Sequence, residues 1–300
     1  MNELCVNRQM LLDLAPQARL MVNPPGQIPP GALSGERASR QQGRGLNFDS
    51  LRRYQPGDDI RMIDWQTTAR LRTPWVRQYN EERERPVFLL VDQRLDMHFA
   101  TRGQTKASAA AKTAALLAWR SHHDGDRLGS LVFNDTTLAL HPCRAPRSTL
   151  PALLDDLTHY NQLLAQQYPH ETERTQTLSQ ALQRAVSTIP RGAWVAILSD
   201  FHDLDAQAKA MLAHLRRRCE VSAFVLFDDL HLRLPRSGTL AACYGGRSAS
   251  VNLTSALSAD IRQHIIGRLA RQQQQLNQLG IRVNHLTVTQ DLLRQLQKGL

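Results

Sequence analysis

The sequence predicts an α/β protein: a doubly wound, mostly parallel sheet flanked by helices, preceded by an extended and partly β N-terminal arm. Two stretches carry most of that prediction. Val87-Phe88-Leu89-Leu90-Val91 and Ala193-Trp194-Val195-Ala196-Ile197-Leu198 are continuous apolar runs, the first ending at Asp92 and the second at Ser199-Asp200. Unbroken apolar runs of this length mark strands buried on both faces, as in parallel sheets. The third observation is alternation. From Pro86 onward strand patterns and helix patterns follow one another, which right-handed crossovers assemble into one wound sheet.

In chain order, residues 23–45 are rich in Pro, Gly and polar residues without periodicity, so they read as a loop or extended arm. Residues 46–85 mix short apolar groups with dense charge, and 74–80 alternates as a strand does. After the strand 87–91 comes an Ala-rich helix near 105–122, ended by Gly125, then a strand over 128–133. Asn134-Asp135 is turn chemistry and predicts a short pairing strand at 136–140. Helices are predicted near 147–165 and 177–189, the second with Leu178, Ala181, Leu182, Ala185 and Val186 on one face. The buried run 193–198 follows, then a helix over 204–218 and a strand over 221–227. Residues 239–253 read as a hairpin around Gly245-Gly246, and a long helix over 255–279 keeps Leu257, Ile261, Ile265 and Leu269 at four-residue spacing. Its Gln272–Gln275 run reads as a wet face. A strand over 281–288 and a short helix close the chain. The expected organisation is an arm over 1–84, an α/β domain over 85–290 and a C-terminal helix over 291–300.

Composition narrows the function classes. The formal net charge is +10, and 33 of the 37 cationic side chains are arginine. Such an excess permits acidic partners, nucleic acid or anionic lipid without choosing among them. Aromatic residues are 5% and are not interleaved with a basic stripe, which argues against a stacking-based nucleic-acid surface. Four dispersed cysteines without a C-x-x-C pair argue against a cysteine zinc site and for reduced thiols. No apolar run reaches the roughly 18–20 residues of a membrane helix, and the N-terminus lacks a signal-type block, so a soluble, cytoplasmic protein is expected. Phosphate-loop, H-E-x-x-H and G-x-S-x-G motifs are missing from the sequence.

In a wound sheet, ligands sit at the carboxyl ends of the strands. Asp92, Asp96 and Asp200 are therefore expected on one rim, where three carboxylates repel unless a cation joins them. The stretch VDQRLDM resembles the D-x-S-x-S-M signature of von Willebrand factor A-type domains. The resemblance implies a metal-ion-dependent adhesion site, with Asp92 as its first aspartate and Asp200 as its last. Arg94 and Asp96 stand where the two serines belong, and Gln176 takes the threonine position between Thr175 and Thr177. A guanidinium about 5 Å from a dication costs about 7 kcal/mol at an effective dielectric near 20, on the order of five decades of affinity. Three readings stand. Arg94 replaces the ion, its fork bridging Asp92 and either Asp96 or Asp200; or it points to solvent and the loop is inert; or the carboxylates retain Mg²⁺. No cofactor is expected unless the last holds.

Residues 43–72, GRGLNFDSLRRYQPGDDIRMIDWQTTARLR, are similar to the signature of domain-of-unknown-function family 58. Tyr54, Pro56, Gly57, Asp58, Asp59, Arg61, Ile63, Asp64, Trp65, Ala69 and Arg70 all fit it. GDRLGSLVF (125–133) and ILSDF (197–201) fit more loosely, so the resemblance spans about 43–201. Two readings of the window remain open. In the structural one, Pro56-Gly57 makes a tight turn, Asp58 or Asp59 caps exposed N–H groups, Arg61, Asp64 and Arg70 form an ion-pair lattice, and Ile63 and Trp65 anchor the arm. In the functional one, the window is a partner-binding platform. The resemblance implies a non-enzymatic bacterial interaction module, an adaptor or chaperone-assisting partner of a MoxR-type AAA+ ATPase. A metal-dependent hydrolase using the rim carboxylates and a basic nucleic-acid-binding protein are the alternatives. Many family relatives carry membrane spans ahead of the signature; none is read here.

Overall fold

A computed structural model of the 300-residue chain describes residues 4–21, 46–81, 85–167, 175–244 and 247–298. The chain divides into two compact units, one made of residues 1–27 and 85–300, the other of 28–84. In chain order the elements are α1 (Arg8–Leu12), α2 (Ala15–Arg19), β1 (Leu46–Arg53), α3 (Trp65–Leu71), β2 (Trp75–Glu81), β3 (Pro86–Asp92), α4 (Lys106–Asp124), β4 (Arg127–Phe133) and β5 (Leu138–Arg144). They continue with α5 (Pro146–Gln167), α6 (Leu178–Val186), β6 (Trp194–Ser199), α7 (Ala206–Arg216), β7 (Glu220–Phe227) and α8 (Leu230–Arg233). The chain ends with β8 (Gly238–Tyr244), β9 (Arg247–Leu253), α9 (Ser255–Gln278), β10 (Arg282–Thr287) and α10 (Leu292–Lys298).

The larger unit is the predicted sheet. Six strands lie in the order β10-β7-β6-β3-β4-β5, all parallel neighbours except the antiparallel β4–β5 pair. Strand periodicity sends Val87, Leu89 and Val91 into one apolar layer with α4, α5, α10 and the N-terminal helices. Phe88 and Leu90 enter the opposite layer with α6, α7 and the end of α9. Alanines on α4 bring that helix close to the sheet: Ala107, Ala110, Ala111, Ala114, Ala115 and Ala118 are all fully buried. The α4 N-terminus is capped by Thr105, whose Oγ1 accepts from Ser108 N at 3.0 Å, and Gly125 ends the helix in the left-handed conformation. The last strand and α10 complete the same sheet and layer, with Leu292 and Leu296 in the core. The β8–β9 hairpin forms as expected, and its Gly245-Gly246 turn lies outside the described residues.

The smaller unit holds β1 and β2, an antiparallel pair with an irregularity between Phe48 and Ser50, and α3. The expected arm over 1–84 is corrected by the N-terminal helices. Leu11, Ala18 and Met21 lie in the core of the α/β unit, Val6 N donates to Asn161 Oδ1 at 2.8 Å, and Trp119 Nε1 donates to Leu11 O. Helices of five residues are too short to show a 3.6-residue period, so the sequence pattern hides them. The segment 23–45 lies outside the described residues. Among the described residues, no helix is long and apolar enough to cross a membrane.

Candidate functional site

The strands β3 and β6 deliver the site. Their order in the sheet reverses here, since β4 lies on one side of β3 and β6 on the other, which is where wound sheets bind. Asp92 closes β3 and is fully buried; Arg94, two residues on, is 3% exposed and folds back over it. Arg94 Nε donates to Asp92 Oδ1 at 3.0 Å and Nη2 to Asp92 Oδ2 at 2.7 Å, a bidentate fork. The outer edge of the same guanidinium pairs with Asp203: Nη1 to Oδ2 at 2.5 Å and Nη2 to Oδ1 at 2.9 Å. Arg94 Cζ also lies 5.2 Å from the Phe133 ring centroid, within cation–π range. Burial works against the Arg94 charge, but Asp92 and Asp203 outweigh it and raise its pKa further. Burial likewise pushes the Asp203 carboxyl up, yet the Arg94 hydrogen bonds and charge, with the Leu178 N–H, hold it below the usual carboxylate range.

The sequence expected Asp96 or Asp200 as the second carboxylate on this fork; the structure corrects that to Asp203. Asp200 is drawn instead to Lys106, the first residue of α4. A lysine at a helix N-terminus opposes the helix dipole, so an acidic partner relieves it. That misplaced cation, one of four lysines in the chain, was the readable signal for the pair. Asp96 is half-buried and has partners of its own. Asp203 gave no such signal, because it lies in a loop whose path depends on Phe201. Phe201 is fully buried at φ +49°, a strained value for a bulky side chain. Its N–H donates to Ser199 Oγ at 3.1 Å, and its carbonyl accepts from Gln272 Nε2 at 3.0 Å. Gln272, expected on a wet face, is buried and grips the carbonyls of Asp200 and Phe201.

The remaining contacts hold the loop rigid. Asp135, from the β4–β5 turn, accepts from Leu95 N at 2.6 Å through Oδ2, and its backbone carbonyl accepts from Thr175 N and Gln176 N. Thr177 caps α6 with Gln180 in a reciprocal capping box. Gln176, at the threonine position of the resemblance, gives its N–H to the Asp135 carbonyl, and its neighbour Thr177 initiates the helix. Asp92 accepts four hydrogen bonds in all, from Arg94 N, Nε and Nη2 and from Ser199 Oγ. A hard dication needs such oxygens open, and they are taken by a guanidinium. Among the described residues, no group of three or more His, Cys, Asp or Glu side chains could hold a metal ion. The residues as arranged do not fit Mg²⁺.

The signature segment lies in the smaller unit and is described by itself. Pro56-Gly57 forms the turn, with Gly57 at φ +108° and Asp58 N bonded to Gln55 O. Asp58 takes both Arg52 Nη atoms at 2.7 Å and Gln55 N at 2.8 Å; the Arg52 hydrogen bonds hold its carboxyl down. Asp59 accepts from Arg61 N, starting a 3₁₀ turn over Ile60–Met62. Asp64 caps α3 through Thr67 N at 2.8 Å and pairs with Arg77 at 2.7 Å, both of which keep its carboxyl low. The expected lattice of Arg61, Asp64 and Arg70 is corrected: Arg77 is the cation on Asp64, and Arg61 and Arg70 are exposed. Tyr54 is half-buried, its N–H bonded to Pro74 O. Ile63 bridges to Val76 and anchors the segment. Trp65 does not; it is 66% exposed, and Ile60 at 62% and Met62 at 37% are exposed as well.

Comparison with known proteins gives a family and a few relatives. The family model described as "Protein of unknown function DUF58" matches residues 50–275. Uncharacterized proteins of Mycobacterium bovis and of two Mycobacterium tuberculosis strains are each 36% identical over 117 residues, covering 39% of this chain. The match spans 37% of those relatives' own length. Among solved structures, an aerotolerance-related membrane protein from Bacteroides fragilis, carrying multiple mutations to serines, aligns with a TM-score of 0.37 and 15% identity. That alignment covers 71% of this chain and 94% of the other.

Proposed function

The chain belongs to the DUF58 family, and on that premise we propose that it is a non-enzymatic protein-interaction module, an adaptor or chaperone-assisting partner of a MoxR-type AAA+ ATPase in the cytoplasm. In this reading the rim of Asp92, Arg94 and Asp203 works without a metal, as an ion-paired edge that keeps one net negative charge and has no open nucleophile or Lewis acid. The von Willebrand A-like resemblance of the sheet edge supplies the precedent for docking at such a rim. The observation that carries the reading is the apolar group exposed in the signature segment. Trp65, Ile60 and Met62 stand out on a small unit whose own hydrogen bonds are otherwise well made. Exposed apolar side chains concentrated in one short stretch of chain point to an interaction site, and tryptophan is prominent among the residues that dominate binding energy.

The test is capture of a purified MoxR-type ATPase by the tagged chain. The wild type retains it at moderate salt. Trp65→Ala with Ile60→Ser lowers retention by about tenfold or more, the loss of one aromatic anchor, with thermal stability unchanged. A wild-type chain that retains no ATPase, with nucleotide present or withheld, overturns the proposal.

A further inference from the structure

The amino edge of the six-stranded sheet, opposite the rim of Asp92 and Arg94, gathers arginine where β6, β7 and β10 begin. Arg191 stands in the turn before β6, Arg216, Arg217 and Arg218 follow one another at the end of α7 before β7, and Arg282 opens β10. These three strands are neighbours in the sheet. Their entry turns are tied together: Gly192 N donates to Arg218 O at 2.8 Å, and Arg216 Nε donates to Gly280 O at 2.8 Å. Arg191, His214, Arg217 and Arg218 line an open depression of about 580 Å³.

The fold commits only part of this charge. Arg218 Nη2 donates to the carbonyls of Val186 and Ile189, which holds that guanidinium in place. Arg191, Arg217 and Arg282 are exposed, and among the described residues none of the three has a carboxylate partner. The segments 184–192, 209–220 and 277–283 contain a single acid, Glu220, and it pairs with Arg85. A helix dipole favours a cation at the end of α7. Arginines in the turn before β6 and at the start of β10 have no such task.

We propose that this edge binds the phosphate backbone of a nucleic-acid duplex without reading its bases. Three neighbouring strands span about 10 Å of the edge, a length over which one strand of a duplex presents about three phosphates. An extended acidic peptide turns only every second side chain to one face, about one or two carboxylates over the same length. The planar forks of arginine suit phosphate oxygens. None of the exposed large apolar side chains lies in these segments, so a bilayer would bury no apolar area here. No aromatic residue that could stack on a base is exposed in them either, so the contact is to backbone and carries no sequence preference. The site is independent of the interaction reading of the signature segment, which lies in the other unit.

Fluorescence anisotropy of a labelled, mixed-sequence DNA duplex titrated with the full chain decides it. Phosphate contacts from Arg191, Arg217, Arg218 and Arg282 give a slope of about −3.6 for log affinity against log salt, a loss of about two decades between roughly 50 and 200 mM. Arg191→Ala with Arg217→Ala makes that slope shallower by about 2, with the melting temperature retained. If that variant folds poorly, Arg282→Ala provides the second reading, a slope shallower by about 1. Arg102→Ala with Arg236→Ala, at exposed positions in the loops after β3 and α8, removes the same charge and leaves the slope unchanged. Absence of binding at about 50 mM salt, equal losses from the two double variants, or tighter binding to polyglutamate or to phosphatidylserine vesicles than to the duplex overturns the proposal.

Discussion

Replacing Arg94 with methionine removes the cation and keeps most of the volume. What remains is Asp92, fully buried, with only Ser199 Oγ and the residue 94 N–H as donors. At about 3 Å and an effective dielectric of 20, the lost attraction to Asp92 is about 5 kcal/mol before any relaxation. Breaking one side of a buried pair costs about 3–5 kcal/mol in practice. Asp203, with a side chain 31% exposed, regains water and adds no more than about 1 kcal/mol. A net loss of about 4 kcal/mol corresponds to a fall in melting temperature of roughly 8–16 °C for a domain of this size. Calorimetry on Arg94→Met measures it, and Arg94→Met with Asp92→Asn recovers more than half by removing the stranded charge. The sign with pH follows from Asp203. Its carboxyl is held below the usual range in the folded wild type, so its stabilising share is present above that range and lost as pH falls through it. The gap between wild type and Arg94→Met therefore narrows below about pH 4. A shift under about 2 °C at neutral pH, or a double variant worse than the single, refutes the buried-seat reasoning.

Other outcomes follow from the same structure. Asp126, 7% exposed, is pushed up to about 6 by burial and by nearby Asp124, against the Arg85 N–H it accepts at 2.9 Å. A raised carboxyl contributes stability at low pH that disappears as pH rises through about 6, so Asp126→Asn gains up to about 3 kcal/mol at pH 8 and nothing at pH 3; urea titrations at the two pH values check it. At Gly129 an added Cβ would lie 2.7 Å from Cys143 Sγ, 2.8 Å from Phe88 Cδ2 and 2.9 Å from the Cys143 N. Gly129→Ala therefore destabilises by about 1–3 kcal/mol through overpacking, and an unchanged denaturation midpoint would show slack in the β3–β4–β5 layer. Arg94→Ser reopens the seat: millimolar Mg²⁺ raises the melting temperature of that variant and leaves the wild type unmoved, whereas a flat response in the variant removes the idea of a displaced ion.

Legibility followed physical range. The runs 87–91 and 193–198 were readable because double-sided burial imposes an apolar residue at every position, and both are central strands. Helices α1 and α2 were not, since five residues give no period and their burial depends on α4 and α5. Hydrophobicity alone makes Trp65 an anchor, yet apolar residues are not confined to the interior, and only the fold shows which ones remain outside. Gln272 failed in the opposite sense: a polar residue in a polar run is buried because it satisfies two loop carbonyls. The sequence pattern exposes Arg94 and Asp92, but their third member, Asp203, lies beyond a backbone turn that no local pattern encodes.

That turn explains why two acids three residues apart serve different cations. Without the positive φ at Phe201, the loop after β6 would continue extended and adjacent residues would alternate in direction. A bulky residue in the left-handed region costs of order 1–3 kcal/mol, so the conformation persists only where the surroundings determine it. Here Ser199 Oγ binds the Phe201 N–H while donating to Asp92, and Gln272 holds the carbonyls on either side of the turn. The Phe201 side chain is itself fully buried beside α6 and α7. Asp200 is then directed to Lys106 at the start of α4, and Asp203 reaches Arg94 and the Leu178 N–H at the start of α6. Each cation at the rim thereby meets an acid without the two acids sharing one. Arg94 and the strain at Phe201 are linked through Asp92 and Ser199, so the buried pair at this edge involves the whole loop as well as one residue.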